Sequence, residues 1–170
     1  DSEAEKLIKN SREKHSSNLL IKDTENILLN NQSEKIKKFF NCKNPKDSLA
    51  EFFYIIANLY SSEKNYQLSN FYLKISIFLN DKFLSNKALL AENFYYQEKY
   101  KVSKDVYNSL KIIGPTFSWY ASKNIAAILL LEKGKKNAVN SLEKDFNSLT
   151  DINFQHYYEL ANFYKDNELY

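Results

Sequence analysis

The residue types able to do covalent or acid–base chemistry are few in this chain, and they are scattered. Cys42 is the only cysteine, and the two histidines, His15 and His156, stand 141 residues apart. A thiol nucleophile needs a base within hydrogen-bond reach and a third group to orient that base, while a zinc site needs several ligands clustered together. Neither spacing supplies such a set. Cys42 follows Phe39 and Phe40 and reads as a buried or half-buried thiol, and His156 reads as a polar residue just inside a helix that starts at Phe154. Carboxylate pairs such as Glu92 and Glu98 are ordinary on charged helices. Only 2 glycines occur, too few for a loop that cradles phosphate. The expectation is a protein that is not an enzyme, with no catalytic residue, no metal and no cofactor; a single cysteine also excludes an internal disulfide.

The elements that would position any site are helices. With 2 Gly and 2 Pro in 170 residues the chain lacks the punctuation of a sheet-rich domain, and a hydrophobic content of 44% is enough to build a core. Segments 50–65 and 85–99 carry apolar residues at three- and four-residue spacing, and Asn44-Pro45 and Gly114-Pro115 fall just before helix starts. Ser48 followed by Glu51 is a candidate capping box for the first of these helices.

A longer period overlies the helical one. Ala57, Ala91, Ala126 and Ala161 recur at intervals of 34, 35 and 35 residues. Each follows an apolar residue (Ile56, Leu90, Ile125, Leu160) and precedes a bulky one three positions on (Tyr60, Phe94, Leu129, Tyr164). Nine positions on stand Tyr66, Tyr100, the exception Lys135, and Tyr170; twelve on, the small Ser69, Ser103 and Ala138; sixteen on, the large Leu73, Tyr107 and Leu142. A small residue lets two helix backbones approach and large neighbours fill the flanking space, so the period encodes a packing scheme between successive helices.

On these residues the chain resembles the tetratricopeptide repeat family, whose unit of about 34 residues is a helix-turn-helix with an apolar-small pair in its first helix and a small residue opening its second. Residues 50–83 match with Ile56, Ala57, Tyr60, Tyr66, Ser69, Leu73 and Ser76, with Asp81 where the family usually has proline. Residues 84–118 match with Leu90, Ala91, Phe94, Tyr100, Ser103, Tyr107, Leu110 and Pro115. Residues 119–153 follow after a one-residue slip with Ile125, Ala126, Leu129, Gly134, Ala138 and Leu142, departing at Lys135 and at Asp145. Residues 154–170 supply the first helix of a fourth, incomplete unit. The resemblance implies an all-α fold, a right-handed superhelical array of antiparallel helix pairs. Residues 1–49 lack the pattern and read as an N-terminal helical capping segment or a degenerate repeat: a charged opening stretch, a helix around Leu19 to Leu29, and a short helix from about Ser33 that lays Ile36, Phe39 and Phe40 on the first repeat.

The same resemblance places function on the concave face lined by the first helix of each repeat, where the family holds an extended or helical peptide. The matching positions here are Tyr54, Asn58 and Ser62; Leu89, Glu92, Tyr95 and Tyr96; Tyr120, Lys123, Asn124 and Ala127; and Tyr158, Glu159, Asn162 and Lys165. Amides can hydrogen-bond the backbone of a bound segment, and tyrosines offer rigid contact area with a polar tip. Members that clamp an acidic carboxyl terminus carry lysine, asparagine and arginine at set positions; here those are Tyr54, Asn58, Leu89, Tyr120 and Asn124. Only Asn58 fits, which disfavours a carboxylate clamp.

A net charge of +3, spread among acids as in Glu34 to Lys38, gives no basic stripe for nucleic acid. No stretch is apolar enough to cross a membrane. The bias to Asn, Lys, Ile, Phe and Tyr suggests an AT-rich bacterial genome, with cytoplasm and periplasm both open. The absence of methionine, and Tyr170 falling where a second helix should begin, suggest a piece of a longer protein. Two functions from different classes remain: a scaffold that binds a peptide or protein in its groove, and a structural or self-associating repeat segment.

Overall fold

The computed structural model describes residues 2–15, 18–150 and 152–168, and all regular structure among them is helical. The chain is all-α. It divides into two compact units, residues 1–106 and 107–170.

In the first unit, α1 (Ser2–Lys14) lies against α2 (Leu19–Leu29), tied by Arg12 Nε to Glu25 Oε2 at 2.9 Å. A 3-10 turn (Ser33–Lys35) leads into a four-residue α3 (Ile36–Phe39), then α4 (Pro45–Ser62), α5 (Tyr66–Leu79), α6 (Ser85–Tyr96) and the start of α7 (Tyr100–Lys111). Helix α4 begins at Pro45 because the ring presets the helical φ and needs no hydrogen-bond acceptor there, while the Asn44 side chain accepts from the Lys46 N–H at 3.2 Å. Ser48 and Glu51 therefore lie inside the helix, and the capping box expected of them does not form. Cys42 is exposed in the turn before α4, contrary to the expected burial. It is Phe40, not the thiol, that turns inward, with its ring 6.3 Å from that of Phe83.

The small and large positions of the long period are buried in its first three copies. Ala57, Ala91 and Ala126 have no exposed surface, nor do Ser69, Ser103 and Ala138; Leu73, Tyr107 and Leu142 are equally buried. Ala57, Leu73 and Leu90 form the centre of the first unit, bringing α4, α5 and α6 together. The small residue opening the second helix does more than clear space: Ser103 Oγ donates to the Ala91 carbonyl at 2.8 Å, so α7 is bonded to the alanine position of α6. The residues nine positions on, Tyr66, Tyr100 and Lys135, are the first residues of α5, α7 and α9 (Lys135–Asn147). Tyr170, their fourth counterpart, lies outside the described residues.

The turns repeat as the helices do. Asn31, Lys64, Glu98, Gly134 and Glu168 have φ between 53° and 77°, each just past the end of a helix. At the first three the closing bonds are the same: the residue after the left-handed one donates to Ile27, Tyr60 or Phe94 five residues back, at 2.9 Å in each case. Residues 18–40 thus share the turn of the repeats. Gly134 differs. Its φ of 77° with ψ of 175° belongs to glycine alone, and α9 starts on the next residue, nine positions after Ala126 as α5 and α7 start nine positions after Ala57 and Ala91.

The second unit contains the end of α7, α8 (Pro115–Lys133), α9 and α10 (Phe154–Asp166). Trp119, Ala126, Leu142 and Phe146 form its core, with Leu149, Leu160 and Phe163 packed on it. Asp145, out of place by the family pattern, pairs with Lys111 Nζ at 2.6 Å. His156 caps α10 reciprocally with Asn153: each backbone N–H is accepted by the other's side chain, at 3.2 and 3.3 Å. Ala161 is exposed, unlike its three counterparts, because no described helix follows α10 to cover it.

Candidate functional site

In the first unit, α4 and α6 bring Tyr54, Asn58 and Glu92 together. The Tyr54 ring stands edge-on to Phe83 at 5.1 Å, and its hydroxyl lies within hydrogen-bonding reach of Asn58 and Ser85. Burial raises the phenol's pKa, and the negative charge of Glu92 raises it further. The phenol therefore stays neutral, a donor and acceptor held in place. Asn58, one turn further along α4, is exposed, so the side chain that meets the Tyr54 hydroxyl also borders solvent. Ser85, at the start of α6, is half-buried and part of this group.

Leu89 is half-buried against the Ala57–Leu73–Leu90 cluster, so it serves packing. Tyr95 and Tyr96 form an aromatic ladder at the end of α6: Tyr96 stacks on Tyr66 at 5.6 Å, and Tyr95 lies 5.4 Å from Tyr96 and 6.0 Å from Tyr100. Tyr96 remains largely exposed despite that stacking.

In the second unit, Lys123 is engaged within the fold. Its Nζ lies 2.5 Å from Glu159 Oε2, which also accepts from Trp119 Nε1 at 2.7 Å, while Gln155 Nε2 donates to Oε1 at 2.9 Å. Burial pushes the Glu159 pKa up, but the bonds from Lys123, Gln155 and Trp119 outweigh it and the carboxyl is held below its ordinary value. This cluster joins α8 to α10. Trp119 and Gln155 were not foreseen in it; the four-residue step from Gln155 to Glu159 on one helix face is the signal that could have found one of them. Asn124 donates back to the Tyr120 carbonyl at 2.9 Å, and Tyr120 meets Tyr107 edge-on at 5.9 Å. Tyr158 is exposed, stacked on Phe154 at 6.4 Å, and Asn162 is half-buried. Ser62 and Lys165 are exposed and Ala127 is half-buried.

Asparagine carries a second duty that sequence reading assigned only to surfaces. Asn93, fully buried on α6, donates to Ser69 Oγ at 2.7 Å and Asn70 Oδ1 at 2.9 Å and accepts from Ser61 at 2.6 Å, so it bonds α6 to both α4 and α5. Asn86, two turns earlier, donates to Ser76 Oγ at 2.8 Å, and Ser76 donates to the Ala50 carbonyl at 2.6 Å.

Among the described residues no group of three or more His, Cys, Asp or Glu side chains could hold a metal ion, and no helix is long and apolar enough to cross a membrane. Comparison with protein-family models, with characterised proteins and with solved structures finds no match to this chain.

Proposed function

We propose that this protein is a tetratricopeptide-like helical-repeat scaffold, not an enzyme, that binds a peptide or protein segment through the first helices of its repeats. The observation that carries the reading is the gathering of Tyr54, Asn58, Ser85 and Glu92 where α4 meets α6. A neutral phenol fixed by its neighbours, an exposed amide and a carboxylate make a rigid polar strip beside aromatic surface, which suits the backbone and side chains of a bound segment. Burial of the three alanines and their partners twelve and sixteen positions on supports a repeat array as the frame. Residues 1–49 then include a degenerate repeat, since α2 and α3 share the turn of the later pairs.

The test is selection of a random peptide library on the immobilised protein. Recovered peptides should bind Asn58→Ala/Tyr95→Ala about tenfold more weakly while circular dichroism shows unchanged helicity. Equal affinity for the double variant would remove the groove assignment.

A second reading, self-association, draws on α10, which exposes Phe154, Tyr157, Tyr158 and Ala161 along one face. Leu160 and Tyr164 are poor probes of it, since Leu160 packs into the core and Tyr164 donates to Glu143. Tyr158→Lys is the suitable change. A sedimentation mass that falls to the monomer on that substitution supports this reading, and a monomeric parent protein disposes of it.

A further inference from the structure

The first unit contains a cavity of about 310 Å³ between α2, α3, the start of α4 and residues 82–84. Its origin can be read from the register. Counting back from the shared turns at Asn31, Lys64 and Glu98, Thr24 stands where the first two repeats carry Ala57 and Ala91, and sixteen positions on Phe40 stands where they carry Leu73 and Tyr107. Two substitutions break the pattern. Ile36 occupies the place of the small Ser69, Ser103 and Ala138, so α2 and α3 cannot close on one another at that point. Helix α3 also stops at Phe39 after four residues, where α5 and α7 run on for three turns. The space left over is lined by Leu20, Ile27, Ile36, Phe39, Phe83 and Leu84.

Asp23 makes this more than a packing gap. It stands in the register of Ile56, Leu90, Ile125 and Leu160, the apolar member of each pair, and it lines the cavity. Its carboxylate receives no hydrogen bond among the described residues; the one charge that acts on it is that of Lys35. Burial accordingly raises its pKa, with Lys35 offsetting only part of the effect. A half-buried carboxylate without a donor is an acceptor awaiting a cation. The oxygen set disfavours a metal ion, because the lining carboxylates are Asp23 and the exposed Glu51, no group of three or more His, Cys, Asp or Glu gathers among the described residues, and hard cations need about six oxygens. The aromatic walls favour an organic cation instead. Glu51 and Lys82 also line the cavity, and both are exposed.

We propose that this cavity binds a small apolar amine, its ammonium group on Asp23 and its hydrocarbon or aromatic body against Ile27, Phe39 and Phe83. The volume is at the lower end of the range for ligand sites and equals about ten waters, which apolar walls would hold poorly. The cavity adjoins the α4–α6 strip through Phe83, whose ring meets that of Tyr54, but it uses none of the strip's polar groups.

Calorimetric titration with 4-phenylbutylamine, 4-phenylbutanol and 4-phenylbutanoate tests it. The amine should bind saturably and about tenfold tighter than the alcohol, with the carboxylate weakest. Asp23→Asn should bring the amine down to the level of the alcohol and leave the alcohol unchanged, and Asp23→Lys should reverse the preference toward the carboxylate. Leu20→Trp, which fills the cavity, should abolish all three. Equal binding of the three probes, amine binding that survives Asp23→Asn, or no saturable binding at about 1 mM would each overturn the proposal. Helicity of the variants is checked by circular dichroism, and if Leu20→Trp does not fold, the two Asp23 variants decide the matter.

Discussion

Helices α6 and α8 occupy the same register in the two units, yet they fill their buried faces with opposite chemistry. Five residues before the alanine, α6 carries Asn86 and α8 carries Ala121; two residues after it, α6 carries Asn93 and α8 carries Ile128, and all four are fully buried. At these two positions the first unit uses amide and hydroxyl bonds and the second unit apolar side chains. A buried amide network is directional and fixes register, whereas an apolar face tolerates small shifts. The same positions on α4 hold Phe52 and Leu59, and both are exposed. What occupies the face opposite decides whether a position is core at all.

The two units also contrast in their half-buried carboxylates. Glu159 is surrounded by donors and its pKa is lowered; Asp23 accepts no hydrogen bond among the described residues and its pKa is raised. Burial acts on both in the same sense, so the difference lies in the partners.

Exchanging the chemistries gives the largest effect. Ile128→Asn buries an amide with no donors or acceptors arranged for it and should cost about 3–5 kcal/mol in urea unfolding. A cost below about 1 kcal/mol would mean that the second unit can accommodate polar groups as the first does. Asn93→Ala should cost about 1–3 kcal/mol because Ser69 and Asn70 lose their partner inside the protein. Next comes the turn that distinguishes the units: Gly134→Ala forces a side chain into a glycine-only conformation and should cost about 1–2 kcal/mol, although a methyl group would meet no atom there. If Gly134→Ala is neutral, the turn has another accessible form.

Acid titration sharpens the carboxylate comparison. Because the folded-state pKa of Glu159 is depressed below 4.5, its stabilising contribution is present above that value and is lost as pH falls through the folded pKa. Trp119 is the only tryptophan and donates to this carboxylate, so its fluorescence should change with a midpoint below 4.5, and Glu159→Gln should remove the transition. A midpoint at or above 4.5 would contradict the cluster. Asp23 has the opposite sign: folding favours its protonated form, and stability declines as pH rises from 3.8 through the raised folded value. Asp23→Asn should then stabilise the protein at neutral pH, by less than about 1 kcal/mol after solvent screening, the smallest effect of the set. Destabilisation would point to a donor on the carboxylate.

The sequence by itself determined the helical class, the places where α4 and α8 start, and the alanine, small and large positions that became the core. These are legible because helix propensity, proline and periodic side-chain size act within a turn or between neighbours at a fixed interval. Tertiary structure alone decided the rest. Asn58 and Asn93 are the same residue type on successive helices, but one faces water and the other bonds three neighbours, since burial depends on what packs opposite. Ala161 carries the repeat's signature and is exposed for the same reason. Lys123 reads as a free contact residue until α10 brings Glu159 to it, and Asp23 lines a cavity because the short α3 leaves one beside it. A residue's type fixes which bonds it can make, and only the fold supplies or withholds the partner.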